Sequence, residues 1–218
     1  EKIVWGENIV LAAGSRPRKV PNIQVDEKII MTSDGIDNMD DYPKSLVIVG
    51  AGVIGCEYAT IFSNFGKTKV HIIDRQERIL PFEDEDVTKL VSDNLKAKGV
   101  VVHSKANLER LEVVDGIVEY ELSYPDGRRE IIQVEKALLS IGRVPNIENL
   151  GLENAGVEMS KRGVHIGDDD TRTNIPNIYA VGDAAEKTDA LDGNATLVPL
   201  ANLANRHGRV VADHICGL

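Results

Sequence analysis

The chain has 218 residues, of which 42% are hydrophobic and 28% charged, and its formal net charge is −10. This composition is typical of a globular protein, and the acidic balance argues against nucleic acid or an anionic membrane as a partner, because both attract clustered Lys and Arg. No run approaches the roughly 18 apolar residues of a membrane span. The two cysteines, Cys56 and Cys216, match neither a disulfide framework nor a metal-ligand spacing, so we expect no metal and a reducing, cytoplasmic setting.

The first predicted elements are two short β-prone runs, 2–5 and 8–12, which are interpreted as a hairpin. Because the chain opens at Glu1 within such a run, we expect the natural protein to extend upstream. Residues 21–43 are rich in turn formers and are interpreted as a connector. The unbroken apolar run 46–49 then predicts a strand that is covered on both faces in a parallel sheet.

A glycine turn and a helix over 53–65, ended by Gly66, follow that strand. A second strand is predicted at 69–73, an amphipathic helix at 84–98 and a third strand at 100–103. The apolar face assigned to the second helix consists of Val87, Leu90, Val91 and Leu95. This alternation of strands and helices is typical of a parallel sheet with helices packed on it.

Beyond this unit the hydrophobic pattern alternates, as it does in half-buried antiparallel strands. Three such runs are separated by Asp-Gly pairs, which are strong hairpin signals, and a buried strand follows them; the four ranges are 107–114, 117–123, 129–134 and 136–141. The last third is predicted to contain a hairpin, a strand and a closing helix, at 161–163, 178–181 and 199–215. Together the elements predict an α/β fold, namely a Rossmann-like, three-layer domain with a parallel sheet and an antiparallel β-meander.

A Gly-x-Gly-x-x-Gly pattern lies between the apolar strand and the first helix, which is where a dinucleotide-binding loop must lie. Gly50 permits the tight turn, Gly52 lets the backbone approach a pyrophosphate, and Gly55 lets helix and strand pack closely. Val53 and Ile54 complete the loop, whose free amides at the positive end of the helix suit bound phosphates. We therefore expect this loop to bind a nicotinamide dinucleotide.

An acidic residue at the end of the second strand indicates which dinucleotide binds. Asp74 follows Gly55 by about 20 residues, the spacing of the carboxylate that accepts hydrogen bonds from the adenosine ribose. Because a carboxylate there repels the 2′-phosphate of NADP(H), Asp74 favours NAD(H). Arg75 and Arg78 follow directly and keep NADP(H) as the alternative, since an arginine pairs with that phosphate.

Three longer motifs carry a family resemblance. They occupy residues 8–17, 140–146 and 173–183 and have the sequences NIVLAAGSRP, SIGRVPN and TNIPNIYAVGD. With the glycine loop, they make the chain resemble the pyridine nucleotide-disulfide oxidoreductase family of flavoproteins. The resemblance implies an NAD(P)-binding domain at 44–145, flanked by two parts of an FAD-binding domain at 1–43, which includes the connector, and at 146–218.

The same resemblance implies roles for individual residues. Arg75 and Gly142 join the loop residues and Asp74 in the NAD site. Glu57 corresponds to a family glutamate that lies near the flavin and pairs with a lysine, which in this chain would lie upstream of Glu1. The residues implied to contact FAD are Ala13, Gly14, Arg143, Gly182, Asp183, which holds the ribityl chain, and Ala201.

Two branches of the family are represented. Residues 79–87 and 142–146 resemble dihydrolipoamide dehydrogenases, whereas 198–209 is nearer to NADH oxidases and coenzyme A-disulfide reductases. The resemblance implies FAD and NAD(H) as cofactors and a homodimeric parent. Members of the family also have an FAD-binding glycine loop with a Cys-x-x-x-x-Cys pair, and a dimerisation domain with a catalytic His and Glu. Neither has a counterpart in these residues. We therefore expect this part alone to bind NAD(H) without turnover.

Two other interpretations stay open. One is a non-catalytic NAD(H)-binding regulatory module, and the other is part of a flavin-dependent NADH oxidase without a redox disulfide. Cys56 directly follows a loop glycine and is interpreted as a small packed residue rather than a nucleophile. His71 and His103 lie in predicted strands and are interpreted as structural.

Overall fold

The computed structural model describes residues 3–167, 170–188, 193, 195–196 and 199–218. Among these residues the helices are α1 (Val53–Phe65), α2 (Glu85–Ala97) and α3 (Ala201–Cys216), with short 3-10 turns at Ile36–Asn38 and Gly182–Ala184. The strands are β1 (Ile9–Leu11), β2 (Ser15–Pro17), β3 (Ile30–Thr32), β4 (Ser45–Val49), β5 (Lys69–Ile73), β6 (Val101–His103), β7 (Asn107–Val114), β8 (Ile117–Ser123), β9 (Arg129–Val134), β10 (Lys136–Leu139), β11 (Arg143–Pro145), β12 (Met159–Ser160), β13 (Gly163–His165), β14 (Ile178–Ala180), β15 (Ala185–Thr188) and β16 (Ala195–Thr196).

The chain divides into two compact units. One consists of Pro17–Gly142, and the other combines the residues up to Arg16 with those from Arg143 onward. This grouping differs from the domain boundaries inferred from the sequence, because residues 17–43 pack with the central unit. The cause is β3, a strand that the turn-rich sequence did not predict and that pairs in parallel with β10.

The central unit is built on a five-stranded parallel sheet with the order β3-β10-β4-β5-β6. Its middle strand, β4, is buried from Leu46 onward, as the apolar run predicts. The strand order reverses at β4: the chain continues from β4 through β5 and β6 on one side, and the later strand β10 pairs on the other side, between β4 and the earlier strand β3.

Helices α1 and α2 cover one face of this sheet. Cys56, Ala59 and Phe62 of α1 share a core with Leu46, Ile48, Val70, Ile72 and Leu95. The predicted apolar face of α2 is only half right, because Leu95 is buried and Val91 partly buried whereas Val87 and Leu90 are 56% and 64% exposed. Thr88 takes the buried position instead, and its hydroxyl donates a hydrogen bond to the Glu85 carbonyl.

The meander β7-β8-β9 covers the other face, and its three strands have the predicted bounds. Val47, Val49 and Ile73 of the sheet pack there against Leu111, Val118, Tyr120, Leu122 and Val134. The result is a layer of helices, a parallel sheet and an antiparallel layer. This architecture confirms the predicted fold class.

The second unit contains small sheets and one long helix. Strands β12 and β13 form the predicted hairpin, and β15 adds to β13 in parallel. The hairpin predicted at 2–12 is wrong: β1 pairs in parallel with β14, and the described residues of the first run, Ile3, Val4 and Trp5, form no strand and are exposed. A β-prone run forms a stable strand only when it can pair with a sheet edge and pack against an apolar surface. Without them, the free energy gained does not offset the cost of ordering the backbone.

Candidate dinucleotide-binding site

The glycine loop after β4 uses its three glycines in three different ways. Gly50 has φ of +100°, and a Cβ there would lie 2.6 Å from the Ser140 carbonyl oxygen. A Cβ on Gly55 would overlap the Gly50 carbonyl oxygen, so the third glycine is required for helix α1 to reach the turn. Gly52, by contrast, has φ of −78° and nothing within 4 Å of the Cβ it lacks. The space beside Gly52 is therefore open, as a site for an approaching ligand requires.

The loop lies where the strand order reverses, which is the usual place for a ligand in an open parallel sheet. Ser140, directly after β10, closes this point from the other side: its hydroxyl donates to the carbonyl oxygens of Val49 and Gly50 at 3.0 and 2.9 Å. Sequence reasoning did not assign Ser140 to the site. Its position after the neighbouring parallel strand was the available signal.

The N-terminus of α1 opens at this loop. Val53, Ile54 and Gly55 form its first turn, where backbone N–H groups have no acceptor within the helix, and the N-cap residue Gly52 provides no side-chain acceptor. The first turn contains no acidic residue that would compete for these donors. The arrangement thus suits an anion such as a pyrophosphate.

Asp74 lies directly after β5, next to the loop. One carboxylate oxygen accepts the Ala51 N–H at 2.8 Å, and the other accepts the Gln76 N–H at 2.9 Å. Asp74 therefore ties the loop to the end of the neighbouring strand. Arg75 is exposed, whereas Arg78 is half-buried and donates from Nη2 to the Pro81 carbonyl oxygen at 3.2 Å.

Cys56 and Glu57 lie in the first half of α1 and line a groove of about 730 Å³ together with the half-exposed Val53. Burial raises the pKa of the Cys56 thiol to about 11, with Asp74 and Glu57 adding to the effect. A thiol of this kind is a poor nucleophile at neutral pH, as expected for a packed residue. Glu57 itself is exposed.

A second polar cluster lies in the other unit, around the Gly182-Asp183 turn that follows β14. The Ser15 hydroxyl donates to Asp183 Oδ2 at 2.6 Å, and Arg143 Nε donates to the same hydroxyl at 2.8 Å. Arg143 Nη2 also donates to the Ser15 carbonyl oxygen at 2.7 Å. The structure thus brings together two residues predicted from the sequence, Asp183 and Arg143, through a third, Ser15, which lies in the 8–17 motif but had been assigned no role.

Two basic side chains approach the same turn. Gly182 has φ of +62°, and its N–H donates to His207 Nδ1 at 3.3 Å. Burial lowers the pKa of Lys187 while Asp183 opposes that shift, and burial together with Lys187 lowers the pKa of His207. Lys187 is only 6% exposed, so the turn combines a carboxylate with a buried lysine side chain.

The remaining predicted residues occupy turns and ends of elements. Gly14 has φ of +67° and its carbonyl oxygen accepts the Asn146 N–H, while the Ala13 carbonyl oxygen accepts from Asn146 Nδ2. Gly142 has φ of +99° and accepts the Arg18 N–H, in the central unit. Ala201 is the exposed first residue of α3.

The described residues contain neither a metal-binding cluster nor a helix able to span a membrane. No group of three or more His, Cys, Asp or Glu side chains in that part of the chain is placed to hold a metal ion. Among the same residues, none of the helices combines the length and the apolar character that a membrane span requires.

Comparison with known proteins places the chain in a family. The family model for pyridine nucleotide-disulphide oxidoreductases matches residues 1–208. A dihydrolipoyl dehydrogenase of Bacillus subtilis is 36% identical over 214 residues, which are 97% of this chain and 42% of that protein. LpdA of Mycobacterium tuberculosis superposes with a TM-score of 0.82 and 29% identity, over 96% of this chain and 42% of that chain.

An NAD-dependent persulfide reductase from A. fulgidus superposes similarly, with a TM-score of 0.83 and 28% identity, over 97% of this chain and 39% of that one. The chain therefore spans about two fifths of the length of these relatives. Its matched residues include both glycine turns and the cluster around Asp183. The chain belongs to the pyridine nucleotide-disulphide oxidoreductase family.

Proposed function

We propose that this chain carries the NAD(H)-binding domain of a flavin-dependent oxidoreductase that passes hydride between nicotinamide and flavin. The observation that carries the proposal is the open space beside Gly52, in front of the first turn of α1 and at the reversal point of the sheet. A pyrophosphate in that space would accept hydrogen bonds from backbone amides of the turn. FAD, when bound, would supply the acceptor or donor of the hydride.

The protein's contribution is to bind and orient. Gly50 and Gly55 hold the turn against β4 and Ser140, so the amides are fixed before a ligand arrives. Asp74 braces the turn through the Ala51 N–H, and its carboxylate oxygens keep further lone pairs for the hydroxyls of an adenosine ribose. Preorganised donors of this kind bind without a cost of reorganisation.

The flavin part of the proposal rests on the second unit. Asp183 is held by the Ser15 hydroxyl through Oδ2, which leaves acceptor capacity at the carboxylate for the hydroxyls of a ribityl chain. Gly182 places Asp183 at the start of a tight turn directly after a buried strand. Arg143 supports the arrangement from β11 through its bond to the Ser15 hydroxyl.

The glycine loop is tested by adding a side chain where the ligand would lie. Gly52→Val fits the extended backbone at this position and meets no neighbour, so the fold should survive while the pyrophosphate space is filled. We expect saturable NADH binding, followed by NADH fluorescence, to weaken by about 100-fold, equivalent to about 2.7 kcal/mol. Gly208→Ala, at another open glycine in α3, is the matched control and should bind as wild type. Unchanged NADH affinity in Gly52→Val would refute the site.

The preference for NAD(H) is tested at Asp74. Its carboxylate lies beside the glycine loop, where the proposal puts the adenosine ribose, so Asp74→Asn should remove both the repulsion of a 2′-phosphate and a charged acceptor for the ribose. We expect NADH affinity to fall about tenfold and NADPH affinity to change less or to rise. Titration of both nucleotides against Asp74→Asn gives the ranking. A greater loss for NADPH than for NADH would reverse the assigned preference.

A further inference from the structure

The first three backbone amides of the glycine loop are used unequally. The Gly50 N–H donates to the Ile73 carbonyl oxygen at 2.9 Å, and the Ala51 N–H donates to Asp74 at 2.8 Å. The Gly52 N–H, by contrast, has no acceptor among the residues that the structure describes. Gly52 is therefore the first position in the loop at which an amide is left for a bound anion.

The direction of this amide is set by the peptide group to which it belongs. In a planar trans peptide the C=O and N–H bonds point in opposite directions, so the Ala51 carbonyl fixes the orientation of the Gly52 N–H. The Ala51 carbonyl oxygen accepts the Leu80 N–H at 2.8 Å, and the Cys56 thiol lies 3.5 Å from the same oxygen. Consequently the Gly52 N–H points away from the core that contains Leu80 and Cys56.

Leu80 makes this contact in an unusual backbone conformation. Its φ is +48°, in the left-handed region that a bulky side chain seldom adopts and that persists only where surrounding contacts hold it. The Leu80 side chain packs on the core shared by α1 and α2, and its carbonyl oxygen accepts the Glu83 N–H at 3.0 Å. Arg78 closes the same turn, because its Nη2 donates to the Pro81 carbonyl oxygen at 3.2 Å.

The guanidinium group of Arg78 is directed into the protein. Its Nη2 bonds to the backbone, and its Nη1 is buried without an acceptor among the described residues. A buried nitrogen is out of reach of a phosphate that arrives from solvent. Arg75, by contrast, is exposed.

We propose that Arg78 is a positioning residue of the dinucleotide site: through the turn at Leu80 it fixes the Ala51–Gly52 peptide, and it does not bind the 2′-phosphate of NADP(H). The inference rests on the proposed function, since it assigns a support to the same loop. It separates Arg78 from Arg75, the other arginine that the sequence offered as a partner of that phosphate. A positioning residue affects NADH and NADPH alike, because both contain the same pyrophosphate, whereas a ligand of the 2′-phosphate affects NADPH alone.

Arg78→Met tests this role, because it keeps an unbranched apolar stem and removes the hydrogen bond to Pro81. We expect the affinities for NADH and NADPH, followed by nucleotide fluorescence, each to fall about fivefold, the net value of one hydrogen bond, with their ratio unchanged within about twofold. Arg78→Lys retains a donor for the Pro81 carbonyl oxygen and should bind both within about twofold of the wild type. Arg129→Met is the matched control, since it removes an exposed arginine from the meander of the same unit and should bind as wild type.

Amide hydrogen exchange, measured by NMR, distinguishes positioning from a general loss of stability. Arg78→Met should speed exchange of the Leu80 N–H about fivefold, because local opening of its turn becomes easier. The Gly127 N–H, which donates to the Tyr124 carbonyl oxygen at 2.9 Å in the meander, should keep its wild-type rate. Equal acceleration at the two amides would show that the variant loosens the whole unit and would overturn the proposal.

The outcomes separate this inference from the proposed function. Absence of NADH binding in the wild type would overturn both. Wild-type binding with an unchanged NADH affinity in Arg78→Met, or with a loss confined to NADPH, would overturn only the role of Arg78. Should Arg78→Met fail to fold, the wild type decides through the reciprocity of coupled equilibria: saturating NAD⁺ should slow exchange at Leu80 more than at Gly127, and equal slowing overturns the proposal.

Discussion

Two glycine turns follow buried strands in this protein, Gly50–Gly55 after β4 and Gly182-Asp183 after β14, and they present different groups. The first presents backbone, because Gly52 is open to its surroundings and the first turn of α1 has unpaired amides. In the second, the protein itself engages the polar groups: the Gly182 N–H donates to His207 and Asp183 accepts from Ser15. One turn thus depends on shape and the other on side-chain hydrogen bonds.

The difference extends to how each turn is encoded. The first is set by six consecutive residues and by the strands on either side of it. The second depends on residues that are distant in the sequence: His207 lies 25 positions from Gly182, and Ser15 lies 168 positions from Asp183. We therefore expect a methyl group added at Gly55 to destabilise the first turn, and removal of the Ser15 hydroxyl to destabilise the second.

The largest effect should come from Gly55→Ala. Its Cβ would overlap the Gly50 carbonyl oxygen, which is backbone and has no side-chain rotamer through which to move away. We expect the free energy of unfolding to fall by about 3 kcal/mol, at the upper end for overpacking of a well-packed site. Urea unfolding followed by circular dichroism measures the loss, with the midpoint shifting to lower concentration at an unchanged slope.

Gly52→Ala is the matched control for that experiment. It adds the same methyl group three residues earlier, where φ is −78° and nothing lies within 4 Å. Its free energy of unfolding should remain within about 1 kcal/mol of the wild type, because the loss of an N-cap glycine and the lower entropy of the unfolded chain offset each other. Equal destabilisation by the two substitutions would contradict the separation of roles among the loop glycines.

The same contrast explains what the sequence predicted. Hydrophobic period and Asp-Gly turns are local signals, and they predicted α1, β5 and all three meander strands with their bounds. β3 was missed because it has three residues, and its strand character comes from pairing with β10 more than 100 positions later. The face of α2 was half wrong because the periodicity of Val87 and Leu90 does not reveal what covers them.

For the sites, residue type and spacing predicted the glycines, Asp74 and Asp183, but not the residues that hold them. Ser15 and Ser140 lie in the 8–17 and 140–146 motifs, but each acts through a single hydroxyl whose partner is distant in the sequence, so neither was assigned a role. The histidine pair was expected to be structural, and both rings are buried. Their contact follows from parallel pairing of β5 with β6, since His71 and His103 then lie on the same face, which requires the register as well as the sequence.

A smaller effect is expected at the second turn. Ser15→Ala removes the hydroxyl that joins Arg143 to Asp183, so the carboxylate loses a donor and Arg143 loses its bond to that hydroxyl, while its bond to the Ser15 carbonyl oxygen remains. Because the groups are partly exposed, we expect a loss of about 1 kcal/mol in the free energy of unfolding. Ser15→Thr retains the hydroxyl and should recover most of that loss, whereas Ser63→Ala, at an exposed hydroxyl on α1, should cost nothing. If urea unfolding gave the same midpoint for the Ala and Thr variants, the Ser15 hydroxyl would not support the turn, and Asp183 would owe its position to the backbone, as the glycine loop does.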